Sequence, residues 1–169
     1  KPASRVGLGE AIVDAAKRIE RHQTIGSKSV LIVEDTESIR DVLERQFKKL
    51  NIDVSFALNG IEALSKMEKQ EYGIVITDLH MPKMDGYELI KKIRYNTDIN
   101  SPLYSYQKAP VIVLTADVQM AQRQVYLSHG FDECLLKPVT YLQLKRLLIR
   151  WGLIEEELSE LDHEEHIQK

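Results

Sequence analysis

Five short apolar runs, each followed by a stretch of helical period, constrain this chain's fold more than any other feature. Val30–Val33, Ile74–Thr77, Val111–Leu114 and Cys134–Leu136 are apolar and short, as buried strands are, and Val54–Ala57 is a weaker member of the set. Between them, apolar residues recur every three or four positions. Ile39, Val42, Leu43, Phe47 and Leu50 form one such face behind Thr36, which is placed to cap a helix. Asn59-Gly60 opens a helix carrying Ile61, Leu64 and Met67, and one with Leu89, Ile90 and Ile93 follows the turn "MDG". Val118 to Ser128 reads as a helix stopped by Gly130, and Leu144, Leu147, Leu148 and Trp151 line a last one. Strand and helix in strict alternation imply parallel strands joined by right-handed crossovers. Continuously apolar strands imply a sheet covered on both faces. The expected fold is therefore α/β, a doubly wound five-stranded parallel sheet.

The 169 residues divide into three parts by pattern. Residues 1–28 lean basic and carry Leu8, Ile12, Ala15, Ala16 and Ile19 at helical spacing, a linker with a short amphipathic helix. The alternating domain runs over 29–151, and 152–169 is an acidic tail. Within the domain the connection from Tyr95 to Ala109 is long and polar, with Asn, Ser and Pro breakers. It joins a helix end to a strand start, so it is expected on the sheet edge away from the strand C-termini, and mobile. A net charge of -3 argues against nucleic-acid binding, and no apolar run approaches the ~20 residues of a membrane span. The single cysteine, Cys134, rules out an internal disulfide and a cysteine-rich metal centre, and a reducing cytoplasm suits it. A chain beginning at Lys1 reads as a piece of a longer protein.

Chemistry lies directly behind the strands. Val33 is followed by Glu34 and Asp35, Thr77 by Asp78, Leu114 by Thr115 and Leu136 by Lys137. Parallel strands bring these ends to one edge, where open α/β sheets place their sites. Clustered carboxylates repel and raise one another's pKa. A hard divalent cation relieves that repulsion, and Mg²⁺ characteristically takes one or two carboxylates, waters and a phosphate. Lys137 and Thr115 can hold phosphate oxygens by charge and by hydrogen bond. An aspartate can itself be the nucleophile and become an aspartyl phosphate. The set suits phosphoryl chemistry. Each residue also has a plainer reading: Asp35 as a helix cap, Met81 and Met84 as anchors of the loop around Pro82, Gly86 as a backbone necessity, and Cys134 as a small buried apolar group.

Four segments, "VLIVEDTESIR", "ITDLHMPKMDGYEL", "VIVLTAD" and "HGFDECLLKPV", occur in this order, and residues 29 to 151 resemble the receiver domain of two-component response regulators. The resemblance implies the flavodoxin-like strand order 2-1-3-4-5, taken from the family and not from this chain's spacing. It implies that Asp78 is the phosphoacceptor, that Glu34 and Asp35 hold Mg²⁺ directly or through water, and that His80 lends the metal its backbone carbonyl. Thr115 would then bond a phosphoryl oxygen and Lys137 pair with another, with a cis bond from Lys137 to Pro138. Ala116 would leave the phosphate room. Many receivers with a DNA-binding output carry an aromatic three residues before the lysine, where this chain has Cys134. The stretch "DECLLKPVTYLQLKRLL" is more similar to receivers of hybrid sensor histidine kinases.

The implied function is to accept phosphate from a histidine kinase domain and pass it to a histidine phosphotransfer protein, in the cytoplasm, without nucleic acid or direct membrane contact. The partner would dock near the helix starting at Thr36. With a thiol at 134, the face of the fourth helix, fifth strand and fifth helix is expected to change little on phosphorylation and not to dimerise. The alternatives are a free-standing regulator acting by protein contact, an aspartate-nucleophile phosphatase of the haloacid dehalogenase kind, or an interaction module with a dead site. The phosphatase would need a second aspartate where His80 stands, and a dead site would have lost one of the acids or Lys137.

Overall fold

The computed structural model describes residues 28–116 and 120–155, with the expected linker helix and most of the acidic tail outside them. Five parallel strands, β1 (Val30–Val33), β2 (Val54–Ala57), β3 (Ile74–Asp78), β4 (Val111–Thr115) and β5 (Glu133–Leu136), pair in the order β2-β1-β3-β4-β5. The helices are α1 (Glu37–Leu50), α2 (Gly60–Lys69), α3 (Gly86–Arg94), α4 (Met120–Ser128) and α5 (Tyr141–Arg150), with a 3-10 turn at Pro102–Tyr106. This is the doubly wound sheet the alternating pattern predicts.

Alternation along β1 divides the core between two layers. Val30 and Ile32 pack with Leu43 and Phe47 of α1 and with Leu144, Leu147 and Leu148 of α5. Leu31 and Val33 face the opposite layer, which holds Ala63 and Met67 of α2, Leu89, Ile90 and Ile93 of α3, and Tyr126 of α4. The first layer continues past the last helix to Leu153, which is buried against it.

Two local expectations change. Thr36 occupies the N-cap position of α1 but its side chain makes no capping bond; the Glu34 carboxylate takes the Thr36 N–H at 3.1 Å instead. Val42, expected on the buried face of α1, is 42% exposed, because the contact with the sheet centres on Leu43 and Phe47.

The 95–109 connection is also more than a mobile loop. Tyr106 is buried, its hydroxyl donating to the Gln70 carbonyl at 2.7 Å and accepting the Tyr72 N–H at 2.9 Å. Burial pushes this phenol up to about 12, so it stays protonated and able to donate. Arg94 clamps the same segment: one guanidinium nitrogen donates to the Gln107 and Ala109 carbonyls, another to the Gly130 carbonyl, and a third pairs with Asp132 at 2.7 Å. Polarity hid these anchors because they are hydrogen bonds of one aromatic and one cation, which leave no apolar periodicity. Tyr106→Phe should therefore lower the unfolding free energy by about 1–3 kcal/mol, the cost of stranding a buried N–H and carbonyl. Urea denaturation measures it, and a change within 0.5 kcal/mol, roughly the effect of a surface substitution, would show the segment is not held this way.

Candidate functional site

Strand register places the reactive groups. Asp78, the last residue of β3, lies beside Leu114, so Thr115 sits one step beyond it. Thr115 in turn lies beside Leu136, and the Lys137 N–H donates to the Thr115 carbonyl at 2.8 Å, extending the pairing by one residue. Glu34 and Asp35 follow β1, which neighbours β3 on its other side. The convergence expected from the sequence is present.

Lys137 is the centre of the cluster. Its Nζ is 2.9 Å from Glu34 Oε1 and 3.3 Å from Asp78 Oδ1. Glu34 is fully buried, and Asp78 Oδ1 also accepts the Leu79 N–H at 2.8 Å. Carboxylate oxygens of Glu34, Asp35 and Asp78 all lie within 4.8 Å of one another. Burial raises the Glu34 pKa, the hydrogen bond from Lys137 opposes the rise, and the Asp78 charge adds to it. Burial works against the Lys137 charge as well, but the hydrogen bond to Glu34 and the charge of Asp78 outweigh it and raise the ammonium above its ordinary value. The all-oxygen donor set fits a hard cation such as Mg²⁺. Glu34 already spends one oxygen on Lys137 and the other on Thr36, which suits it to hold an ion through water.

A cleft of about 470 Å³ opens over this edge, lined by Asp78, His80, Thr115, Ala116 and Lys137, with Tyr87 and Tyr126 on its helical side. His80 is exposed, as is Ala116. The peptide bond from Lys137 to Pro138 is cis. Gly86 is required by close approach: a Cβ there would lie 2.5 Å from the Asp78 carbonyl oxygen and 3.0 Å from Leu79 Cα. Both contacts are backbone, so Gly86→Ala must move the segment that carries Asp78. The expected result is a destabilisation of about 1–3 kcal/mol and a fall in phosphoryl uptake of at least about tenfold. Thermal melts and small-donor phosphorylation rates measure the two, and uptake at the parental rate would mean the loop absorbs the methyl elsewhere.

The model of the response regulator receiver domain family matches residues 30–149. The chain belongs to this family. Among relatives of the receiver, the sensor protein EvgS of Escherichia coli K12 is 38% identical over 141 residues, 83% of this chain and 11% of EvgS. Hybrid signal transduction histidine kinase E of Dictyostelium discoideum is 35% identical over 126 residues, 74% of this chain and 7% of that protein. The receiver thus spans about a tenth or less of these relatives. Its fold matches the receiver domain of a Pseudomonas aeruginosa sensor histidine kinase, solved with a magnesium ion coordinated in the active-site cleft, at a TM-score of 0.64 and 29% identity, covering 75% of this chain and 98% of that one. It also matches one chain of the co-crystal structure of the Saccharomyces cerevisiae phosphotransfer protein Ypd1 and the receiver domain of Ssk1, at a TM-score of 0.62 and 26% identity, covering 73% of this chain and 88% of that one.

One group at the site was not legible in the sequence. The Tyr126 hydroxyl, on α4, lies 3.2 Å from Thr115 Oγ1, with both residues buried. Tyr126 stands between exposed neighbours, Val125 at 40% and Leu127 at 42%, so helical period alone marks one inward position without saying what its hydroxyl meets.

Proposed function

We propose that this receiver takes a phosphoryl group from a phosphohistidine onto Asp78 and relays it to a histidine phosphotransfer protein, as the receiver of a hybrid sensor histidine kinase on the cytoplasmic side. The observation that carries this reading is the single ammonium, Lys137, shared by Glu34 and Asp78 at the sheet edge. Asp78 Oδ1 is held by the Leu79 N–H and Lys137, which presents the other carboxylate oxygen to phosphorus. As the new P–O bond forms, the P–N bond to the donor imidazole breaks, its electron pair leaving with that nitrogen, which is then protonated. Thr115 donates to one phosphoryl oxygen, and Lys137, already between the two carboxylates, pairs with another. Asp35, Asp78 and the His80 carbonyl, with Glu34 through water, would hold Mg²⁺. Bound there, the ion would neutralise charge building on the transferred oxygens.

We assign the receiver unit to 29–151, extended by Leu153, which packs into its core, and read the flanks as linker and tail. No helix among the described residues is long and apolar enough to cross a membrane. For the relay partner, a groove of about 320 Å³ beside α1 is lined by Ile39, Val42, Leu43, Pro138 and Val139 and reaches Lys137. Its lining accounts for the exposure of Val42, and the Ypd1 complex with a related receiver supports a partner of that class.

The test is uptake from a small phosphodonor, followed by intact mass, with and without a chelator. Phosphorylation that ignores chelation would refute the Mg²⁺ assignment. Val42→Glu should leave small-donor uptake within about twofold and slow transfer to a phosphotransfer protein by roughly tenfold or more. Equal transfer rates would move the docking surface away from α1.

A further inference from the structure

We infer that Tyr126 is a positioning residue: its hydroxyl, delivered from α4, orients the Thr115 hydroxyl towards an incoming phosphoryl oxygen. This rests on the phosphoacceptor reading of the same site.

The observation is a buried bond between two hydroxyls. Tyr126 is 4% exposed and Thr115 is 8% exposed, and their oxygens are 3.2 Å apart. A threonine hydroxyl has one proton to give and two lone pairs to receive with. If Thr115 spends its proton on Tyr126, it presents a lone pair to the cleft and repels a phosphoryl oxygen. If Tyr126 donates instead, the threonine proton can turn to an incoming phosphoryl oxygen, and accepting a bond strengthens Thr115 as a donor. A phosphoryl oxygen selects the second arrangement, so its arrival fixes both protons. Tyr126 is well placed to hold one geometry, since its ring packs in the layer that contains Cys134 and Phe131. The thiol of Cys134 is small, and the phenol that meets Thr115 comes from α4 and not from β5. Engagement of Thr115 is thereby felt first by α4. A tyrosine placed only to fill the core would have its hydroxyl satisfied in the same way, but would not make Thr115 dependent on it.

The experiment is a double-substitution cycle on the full chain, reading the affinity for beryllofluoride in the presence of Mg²⁺. Tyr126→Phe keeps the ring and removes the hydroxyl, and should weaken binding by about tenfold, the worth of one hydrogen bond in a buried site. Thr115→Val should weaken it at least as much. The combined variant should bind no worse than Thr115→Val alone, because the tyrosine acts only through the threonine. Wild-type affinity in Tyr126→Phe overturns the inference. So does a tenfold loss that persists in full in the Thr115→Val background, which would mark a merely structural ring. A spectroscopic reading on the unaltered chain stands beside the cycle: the ¹³Cζ signal of Tyr126 should shift when the mimic binds, and an unmoved signal overturns the inference even if a variant fails to fold. Failure of wild-type protein to bind the mimic at all refutes the phosphoacceptor reading itself. Wild-type binding with an indifferent Tyr126 refutes only the positioning role of the tyrosine.

Discussion

Asp78→Asn is expected to abolish phosphoryl uptake and, in metal-free buffer, to raise the melting temperature. The first effect follows from the proposed chemistry: an amide oxygen is a poor nucleophile, and uptake should fall by roughly three orders of magnitude or more. The second follows from electrostatics. Three carboxylates have oxygens within 4.8 Å of one another, and the Asp78 charge is one of the causes that raise Glu34. Asparagine removes that charge yet keeps an oxygen to accept the Leu79 N–H, and Lys137 keeps its closer partner, Glu34, at 2.9 Å. The gain should be on the order of 1 kcal/mol, the Coulomb repulsion of two unit charges roughly 4 Å apart at high dielectric. Mg²⁺ should then stabilise the parent more than the variant, since the proposed ion site has lost a charge. Intact mass after incubation with a small donor reads the first effect, and melts in chelator and in Mg²⁺ read the second. Uptake at the parental rate would remove Asp78 as acceptor. A variant less stable than the parent without metal would mean that the Lys137 contact outweighs the repulsion. A site that trades stability for function in this direction is a common outcome of selecting for chemistry.

The parts of this receiver that could be read from sequence are those encoded as periodicity or as residues at strand ends. The apolar runs of β1, β3 and β4 located the sheet, and with it the edge on which Glu34, Asp35, Asp78, Thr115 and Lys137 meet. The strand order needed the family resemblance, because alternation alone does not say which strand is central. Contacts made by single polar atoms stayed hidden. The Tyr106 hydroxyl, the Arg94 clamp and the Tyr126–Thr115 bond each join separate elements through one group. Such a group has no period and no fixed spacing. Thr36 stands at the N-cap position as expected, but the capping bond differs for a related reason: the nearby Glu34 carboxylate takes its N–H while its own side chain caps nothing.

Lys137→Met should produce a stability loss that depends on pH in both directions. At neutral pH it leaves Glu34 fully buried without its cation, a loss of roughly 3 kcal/mol, the low end for a broken buried pair because Lys137 is itself 21% exposed. Glu34 is already raised above 4.5 in the folded protein, so the folded state binds its proton more tightly than the unfolded chain. For such a carboxyl, stability is highest at low pH and is lost as pH climbs from 4.5 through the folded value. Removing Lys137 takes away the hydrogen bond that holds this rise in check, so the variant loses more over a wider window. The gap between variant and parent should therefore close as pH falls towards 4.5. At the alkaline end the parent changes instead. Lys137 is raised above 10.5 in the folded state, so its contribution is complete below 10.5 and disappears as pH rises through the folded value. The gap should close there too, giving a plateau bounded by Glu34 on one side and Lys137 on the other. Mg²⁺ should bind the variant at least as tightly as the parent, since a competing positive charge has gone from beside the carboxylates, while phosphoryl uptake falls. Urea melts of both proteins across pH, with and without the ion, measure all of this. A gap independent of pH would show that Glu34 and Lys137 do not depend on each other, and a loss of Mg²⁺ affinity would place Lys137 among the groups that organise the metal rather than the phosphate.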